Sequence, residues 1–335
     1  MTDPEKTILV PPDFSVSAAA VLDEAAQQHG VTVRCIRLPA DPEARLDAAE
    51  LEHLQAAFFG GNIPQGYGRS FFSAVRKAPR LQWLHAFNAG VDHPVFTELL
   101  DRGVRLSTSV GTNAVPVART ALTGLLMLSR GFPHWLDAQR RRRWDLIPPE
   151  RFPEDLDGQT ICIVGLGGIG AELARLALGL GMSVIGIRRS PRRGEDPVDE
   201  LYPPHVLAEV LPRCQWLAIT CPLTEETRGL IDREKLSSLP RGAYVINVAR
   251  GEVVEEGALI DLLQNGHLAG AYLDVFTQEP LPESSPLWDL PNVILTPHQA
   301  SAARGNQGRV LEIFFDNFER WLAGESLRNE VKRCA

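Results

Sequence analysis

Paired cysteines are missing from this chain. The five cysteines present (Cys35, Cys162, Cys214, Cys221 and Cys334) are odd in number and form no CxxC pair, which argues against a disulfide framework or a zinc module and suits a reducing cytoplasm. The eight histidines are dispersed, with no HxxxH or Cys/His cluster at ligand spacing, so no metal site is expected. Long hydrophobic runs are also lacking: even the apolar stretch at residues 122–128 is broken by Thr123 and Gly124, which predicts no membrane span. The opening MTDPEKTILVPPDF places acids and Pro11-Pro12 where an export signal needs a basic start and an apolar stretch, so none is expected. Finally, 34 Lys and Arg against 42 Asp and Glu leave a net charge of -8, which supplies no general field for nucleic acid. The local exception, Arg140, Arg141, Arg142 and Arg143, reads as a solvated helix face or a subunit contact.

What is present is an ordinary globular composition, 44% hydrophobic and 23% charged, over 335 residues, a length that suits two domains. Short β-branched or apolar runs at residues 7–10, 31–36, 56–60, 81–86 and 104–107 alternate with helical stretches at 16–29 and 68–78, the pattern of a small parallel sheet with crossover helices. Residues 112–130 read as a long connecting helix that Thr112 or Asn113 can cap, with Pro116 in its first turn. Strand and helix signals resume at TICIV (160–164) and run to about residue 296. A last amphipathic helix at 304–323 carries Val310, Leu311, Phe314, Phe315, Phe318, Trp321 and Leu322 on one stripe, so the chain is expected to return to the first domain.

The sequence TICIVGLGGIG sets Gly165, Gly167 and Gly170 in GxGxxG spacing between a strand and a helix. Gly165 allows the tight turn, Gly167 admits a pyrophosphate close to the backbone, and Gly170 lets helix and strand pack, while the helix N-terminus offers free N–H groups. At the end of the next strand, where an acidic residue would bond the ribose hydroxyls of NAD, stand Arg188, Arg189 and Ser190. A guanidinium forks onto phosphate oxygens, so Arg188 with Ser190 suits the 2′-phosphate of NADP. The plainer reading makes Arg188, Arg189, Arg192 and Arg193 a solvated loop.

Three downstream segments end apparent strands in ionisable residues: Arg250 in INVARGEVV, Asp274 and Glu279 in LDVFTQEPLP, and His298 in PHQAS. In an open α/β sheet the strand carboxyl ends line the ligand crevice, so these residues can converge. They are the types needed to reduce a 2-oxo acid. Arginine holds the carboxylate, histidine delivers a proton to the carbonyl oxygen, and a carboxylate on the other ring nitrogen orients that histidine.

Together with NAGVDHP (88–94), TNAVPVA (112–118) and CPLTEETRGLI (221–231), these motifs resemble the D-isomer-specific 2-hydroxyacid dehydrogenase family over nearly the whole chain. The resemblance implies an α/β fold of two domains, a Rossmann-type doubly wound nucleotide domain (109–299) inserted into a smaller flavodoxin-like substrate domain (1–108 and 300–335). It implies Arg250 as substrate anchor, Glu279 as partner of the histidine and His298 as acid/base, with Asp274 contacting the nicotinamide amide. Gly168, Ile169, Cys221, Pro222, Thr227, Val248, Ala249 and Ala300 would lie along the cofactor, and backbone N–H groups at Ala89 and Gly90 would bind the substrate carboxylate. Asp92 and His93 would shape that loop. Trp144 resembles a tryptophan that the family's homodimers place near the substrate.

Two positions depart from the usual pattern, Arg119 after the PVA segment and Gln299-Ala300-Ser301 after the histidine, and neither removes a proposed catalytic residue. The expected activity is reduction of glyoxylate or hydroxypyruvate with NADP preferred over NAD. Larger substrates such as phenylpyruvate, and a regulatory dinucleotide-binding role on the same fold, are the alternatives. The glycine-rich loop holding Gly60, Gly61, Gly66 and Gly68 leaves pocket size open.

Overall fold

The computed structural model describes residues 4–39, 41, 43–60, 67–87, 91, 93–191, 194 and 196–331. Two compact units emerge, Met1–Thr112 with Ala303–Ala335, and Asn113–Ala302.

In the first unit five strands, β1 (Glu5–Val10), β2 (Thr32–Arg37), β3 (Leu54–Phe59), β4 (Trp83–Ala86) and β5 (Arg105–Thr108), form a parallel sheet in the order β2-β1-β3-β4-β5. This is the flavodoxin-like order. Its inner strands are buried on both faces, which is why they read as apolar runs rather than alternating ones. Leu9, Ile36 and Leu84 face one core; Ile8, Val10 and Trp83 face the other. The second core is completed by the helix Asn306–Leu322 from the far end of the chain, whose Phe314 ring stacks 4.2 Å from Phe58 and 5.5 Å from Trp83. Its buried residues, among them Val310, Phe314, Phe318 and Trp321, fall at helical spacing.

The second unit holds seven parallel strands, β6 (Thr160–Val164), β7 (Ser183–Ile187), β8 (Glu200–Tyr202), β9 (Trp216–Ile219), β10 (Ala243–Asn247), β11 (Leu268–Leu273) and β12 (Val293–Leu295), in the order β12-β11-β10-β9-β6-β7-β8. The order reverses between β6 and β9, the switch point of a Rossmann sheet. The helix Ala114–Ser129 crosses β11 where Gly124 meets Tyr272; a Cβ there would collide with the tyrosine ring carbon Cγ.

Two local expectations fail. Asn113 precedes that helix at φ -97° and ψ -1° without a capping bond, and Thr112 Oγ1 donates 2.8 Å to Ser109 O instead. A capping side chain reaches the helix N–H groups from extended backbone, which Asn113 does not adopt. The sequence reading also passed over the helix Phe132–Arg140, which begins three residues after the previous one ends. Gly131 separates them in the left-handed region (φ 72°), and Pro133 sits harmlessly in the first turn. Among the described residues no helix is long and apolar enough to cross a membrane, and no acid, histidine and cysteine cluster could hold a metal ion.

Candidate active site

Parallel register brings six strand ends into one row. Ile187, Val164, Ile219, Asn247, Leu273 and Leu295 are successive partners across β7, β6, β9, β10, β11 and β12. The loops that follow them carry Arg188, Gly165, Cys221, Arg250, Asp274 and His298, so residues scattered over 134 positions share one edge of the sheet.

At the β6 end the glycines do separate jobs. Gly165 has φ 102°, and a Cβ there would lie 2.6 Å from the Cys221 backbone. A Cβ at Gly170 would collide with the Gly165 carbonyl oxygen, which also accepts a 2.6 Å bond from Thr220 Oγ1. Gly167 has open space on its side-chain face and starts the helix Gly168–Leu178 without a side-chain cap, leaving first-turn N–H groups for an anion. Gly165 and Gly167 border a cavity of about 460 Å³. Arg188, Arg189, Ser190, Cys221, Pro222 and Thr227 line the same cavity. A dinucleotide therefore fits the chain's own features here: an open glycine, an uncapped helix start and a cavity between the β7 and β9 loops. Thr227 Oγ1 donates 2.7 Å to Pro222 O and accepts 2.7 Å from Thr224 N, which shapes that wall. Burial pushes the Cys221 thiol up to about 11, so it lines the cavity as a neutral group. Gly168, Ile169, Val248, Ala249, Asp274 and Ala300 lie outside this lining.

The arginine expected to take a phosphate is otherwise engaged. Arg188 forks onto Asp196 at 2.8 and 2.7 Å, donates to the Ser190 and Pro191 carbonyls at 3.2 and 2.6 Å, and is only 13% exposed. Arg189, 72% exposed, pairs with Glu226 at 3.0 Å. Arg192 and Arg193 lie outside the described residues.

Farther along the edge, His298 Nδ1 and Glu279 Oε2 are 2.7 Å apart, with the two side chains 45% and 35% exposed. The other Glu279 oxygen accepts from Phe276 N at 3.0 Å, which fixes the carboxylate. His298 sits at φ 51°, a left-handed conformation that costs about 1–2 kcal/mol and is held by its N–H to Asp274 O (2.8 Å) and Thr296 O (3.0 Å). The Arg250 loop packs against the same segment, because a Cβ on Gly251 would collide with the Phe276–Thr277 peptide. Asn247, 2% exposed, braces it from below, accepting from Ala249 N and donating to Arg250 O, each at 3.0 Å. Arg250 Nη1 donates 2.7 Å to Ala249 O. Arginine, glutamate and histidine are thus linked through touching loops.

Asp274 has a structural duty that the sequence reading did not name. It is 2% exposed, and its carboxylate accepts from Thr296 Oγ1 (2.6 Å), Gln299 N (2.9 Å) and Ala300 N (3.1 and 3.0 Å), so it anchors the loop that carries His298. Since the Thr296 proton goes to Asp274, Tyr272 OH donates to Thr296 Oγ1 at 2.7 Å, and burial keeps that phenol protonated up to about 12. The sequence reading missed Asn247, Gly251 and Thr296; the available signal was a polar or glycine residue closing an apolar strand.

Ala89, Gly90 and Asp92, and Gly61 and Gly66 of the glycine-rich loop, lie outside the described residues, as does Cys334. His93 is described, and its Nδ1 accepts from Val95 N at 3.2 Å to cap the helix Pro94–Asp101. Trp144 is 95% exposed and borders an open cavity with Trp135, Arg142, Arg143 and Leu146.

Residues 122–300 match the family described as D-isomer specific 2-hydroxyacid dehydrogenase, NAD binding domain. Over 325 residues the chain is 32% identical to glyoxylate/hydroxypyruvate reductase B of Yersinia enterocolitica, covering 94% of this chain and 95% of that one. Among solved structures it is similar to a D-isomer specific 2-hydroxyacid dehydrogenase of Xanthobacter autotrophicus in complex with NADPH and MES (TM-score 0.76, 31% identity, 98% of both chains). It is likewise similar to an NADPH-dependent glyoxylate/hydroxypyruvate reductase of Sinorhizobium meliloti (TM-score 0.76, 29% identity, 97% of both chains).

Proposed function

The chain belongs to the D-isomer-specific 2-hydroxyacid dehydrogenase family, and from that membership we propose that it reduces a small 2-oxo acid, glyoxylate or hydroxypyruvate, to the D-2-hydroxy acid with NADP preferred over NAD. The observation that carries the reading is the 2.7 Å Glu279–His298 pair, joined through the Phe276–Thr277 segment to the Arg250 loop. A bound nicotinamide dinucleotide supplies the hydride for the carbonyl carbon. Arg250 holds the substrate carboxylate and polarises the carbonyl. His298, its Nδ1 tied to Glu279, delivers the proton to the carbonyl oxygen from Nε2. Gly165, Gly167 and Thr227 would hold the cofactor, and Ser190 and the arginines would take its adenosine end. The absence of a carboxylate directly after β7 supports NADP, as do the two NADPH-linked structural relatives. The name of the Yersinia relative supports the substrates.

The remaining features fit this reading. Exposed Trp144, Leu146 and Phe152 support a homodimer contact, and the free cysteines Cys35, Cys162, Cys214 and Cys221 support a reducing cytoplasm.

The test is a panel of initial rates with NADPH and NADH on glyoxylate, hydroxypyruvate and phenylpyruvate, beside His298→Ala. Turnover of the small acids should favour NADPH, and the variant should lose kcat by about 10²–10⁴-fold. Equal kcat/KM for both cofactors removes the NADP preference. Phenylpyruvate as the best substrate moves the assignment to larger acids, and no turnover at all points to a binding role.

A further inference from the structure

Resting on the NADP reading, we infer that Glu226 sets the strength of cofactor discrimination by competing with the 2′-phosphate for Arg189. The two arginines after β7 are not equivalent. Arg188 spends four of its five guanidinium donors on Asp196, Ser190 O and Pro191 O, with both partners of its ion pair near 10% exposed (13% and 10%). Freeing that fork would strip a bidentate pair shielded from water, so Arg188 builds the loop rather than binding the phosphate.

Arg189 has the opposite character. Its pair with Glu226 is held at 3.0 Å with both side chains 72% exposed, and a solvated pair of this kind is weak and easily exchanged. Both residues line the 460 Å³ cavity together with Gly165, Gly167 and Ser190. Their strands flank β6, so the pair reaches across the glycine turn from the β7 loop to the β9 loop. The Glu226 oxygen that meets Arg189 also receives Thr224 Oγ1 at 3.4 Å, which biases the carboxylate toward this position.

An arriving phosphomonoester carries more charge than a carboxylate and takes the guanidinium, but it does so beside a displaced anion that repels it. A ribose bearing only hydroxyls leaves the Arg189–Glu226 pair intact and can donate to Glu226. Glu226 thus penalises NADP selectively and narrows the preference that Arg189 creates.

Calorimetric binding of adenosine 2′,5′-bisphosphate and of 5′-AMP to the full chain tests this without turnover. Glu226→Gln should tighten the bisphosphate by about five-fold and leave 5′-AMP within about two-fold; Arg189→Ala should abolish the difference between the ligands. An unchanged ratio in Glu226→Gln overturns the role of Glu226. If the ratio is unchanged while wild type prefers the bisphosphate through Arg189, the NADP reading survives alone. Equal wild-type affinities overturn the NADP reading, and a preference then created by Glu226→Gln still supports the competition.

Discussion

Asp274 is a carboxylate whose solvent is a loop. At 2% exposure both oxygens are met by donors from residues 296–300, and its own carbonyl takes the His298 N–H, so the acid places the histidine without touching its ring. Asp274→Asn keeps the volume but turns one acceptor oxygen into a donor facing backbone N–H groups. It should lower stability by about 1–3 kcal/mol in urea unfolding, with kcat falling more than KM; an unchanged kcat would show that the loop holds without it. The candidates for the chemistry were legible in the sequence because Arg250, Glu279 and His298 stand in short motifs that follow apparent strands. The duty of Asp274 was not, since its partners include backbone N–H groups 25 and 26 positions on, and every residue but proline carries one. The pairing of Arg188 was hidden for a related reason: its type suits a phosphate, and only the fold brings Asp196 to its fork.

Strands were the most legible elements, because burial on both faces of a parallel sheet leaves continuous apolar runs. The helix Phe132–Arg140 was hidden by Gly131 and Pro133, which break the apolar pattern at its start, although the arginine run at its end was read as a solvated helix face or a subunit contact. Inside β4 lies a titratable group that the alternation of apolar runs concealed. His85 is fully buried, with Nδ1 2.8 Å from Ser107 Oγ and Nε2 3.0 Å from Ser109 Oγ, and burial lowers its pKa from 6.5 to about 3. The unfolded chain therefore binds a proton that the folded strand refuses between those values. Stability contributed by His85 is present above pH 6.5 and is lost as pH falls toward 3, with a slope of up to about 1.4 kcal/mol per pH unit. Denaturation at a series of pH values should show that slope, and His85→Gln should flatten it; an identical slope in the variant would assign it to other groups.

For the whole molecule, three strongly exposed apolar residues follow the arginine run in sequence: Trp144 is 95%, Leu146 72% and Phe152 64% exposed. Such a surface is costly in a lone monomer. Wild type should sediment as two chains, and Trp144→Ser with Leu146→Ser should shift it toward one; a monomeric wild type would remove the dimer. The family was determined by the sequence alone, and the glycine turn and the candidate catalytic residues were legible there, since each sits in a short motif that survives in one dimension. Tertiary structure decided which arginine is locked in a buried pair and which is exposed, which carboxylate holds a loop and which histidine is buried. Those outcomes depend on competition for charge and water among groups brought together in space, as with Arg189 and Glu226, 37 residues apart and 3.0 Å from each other.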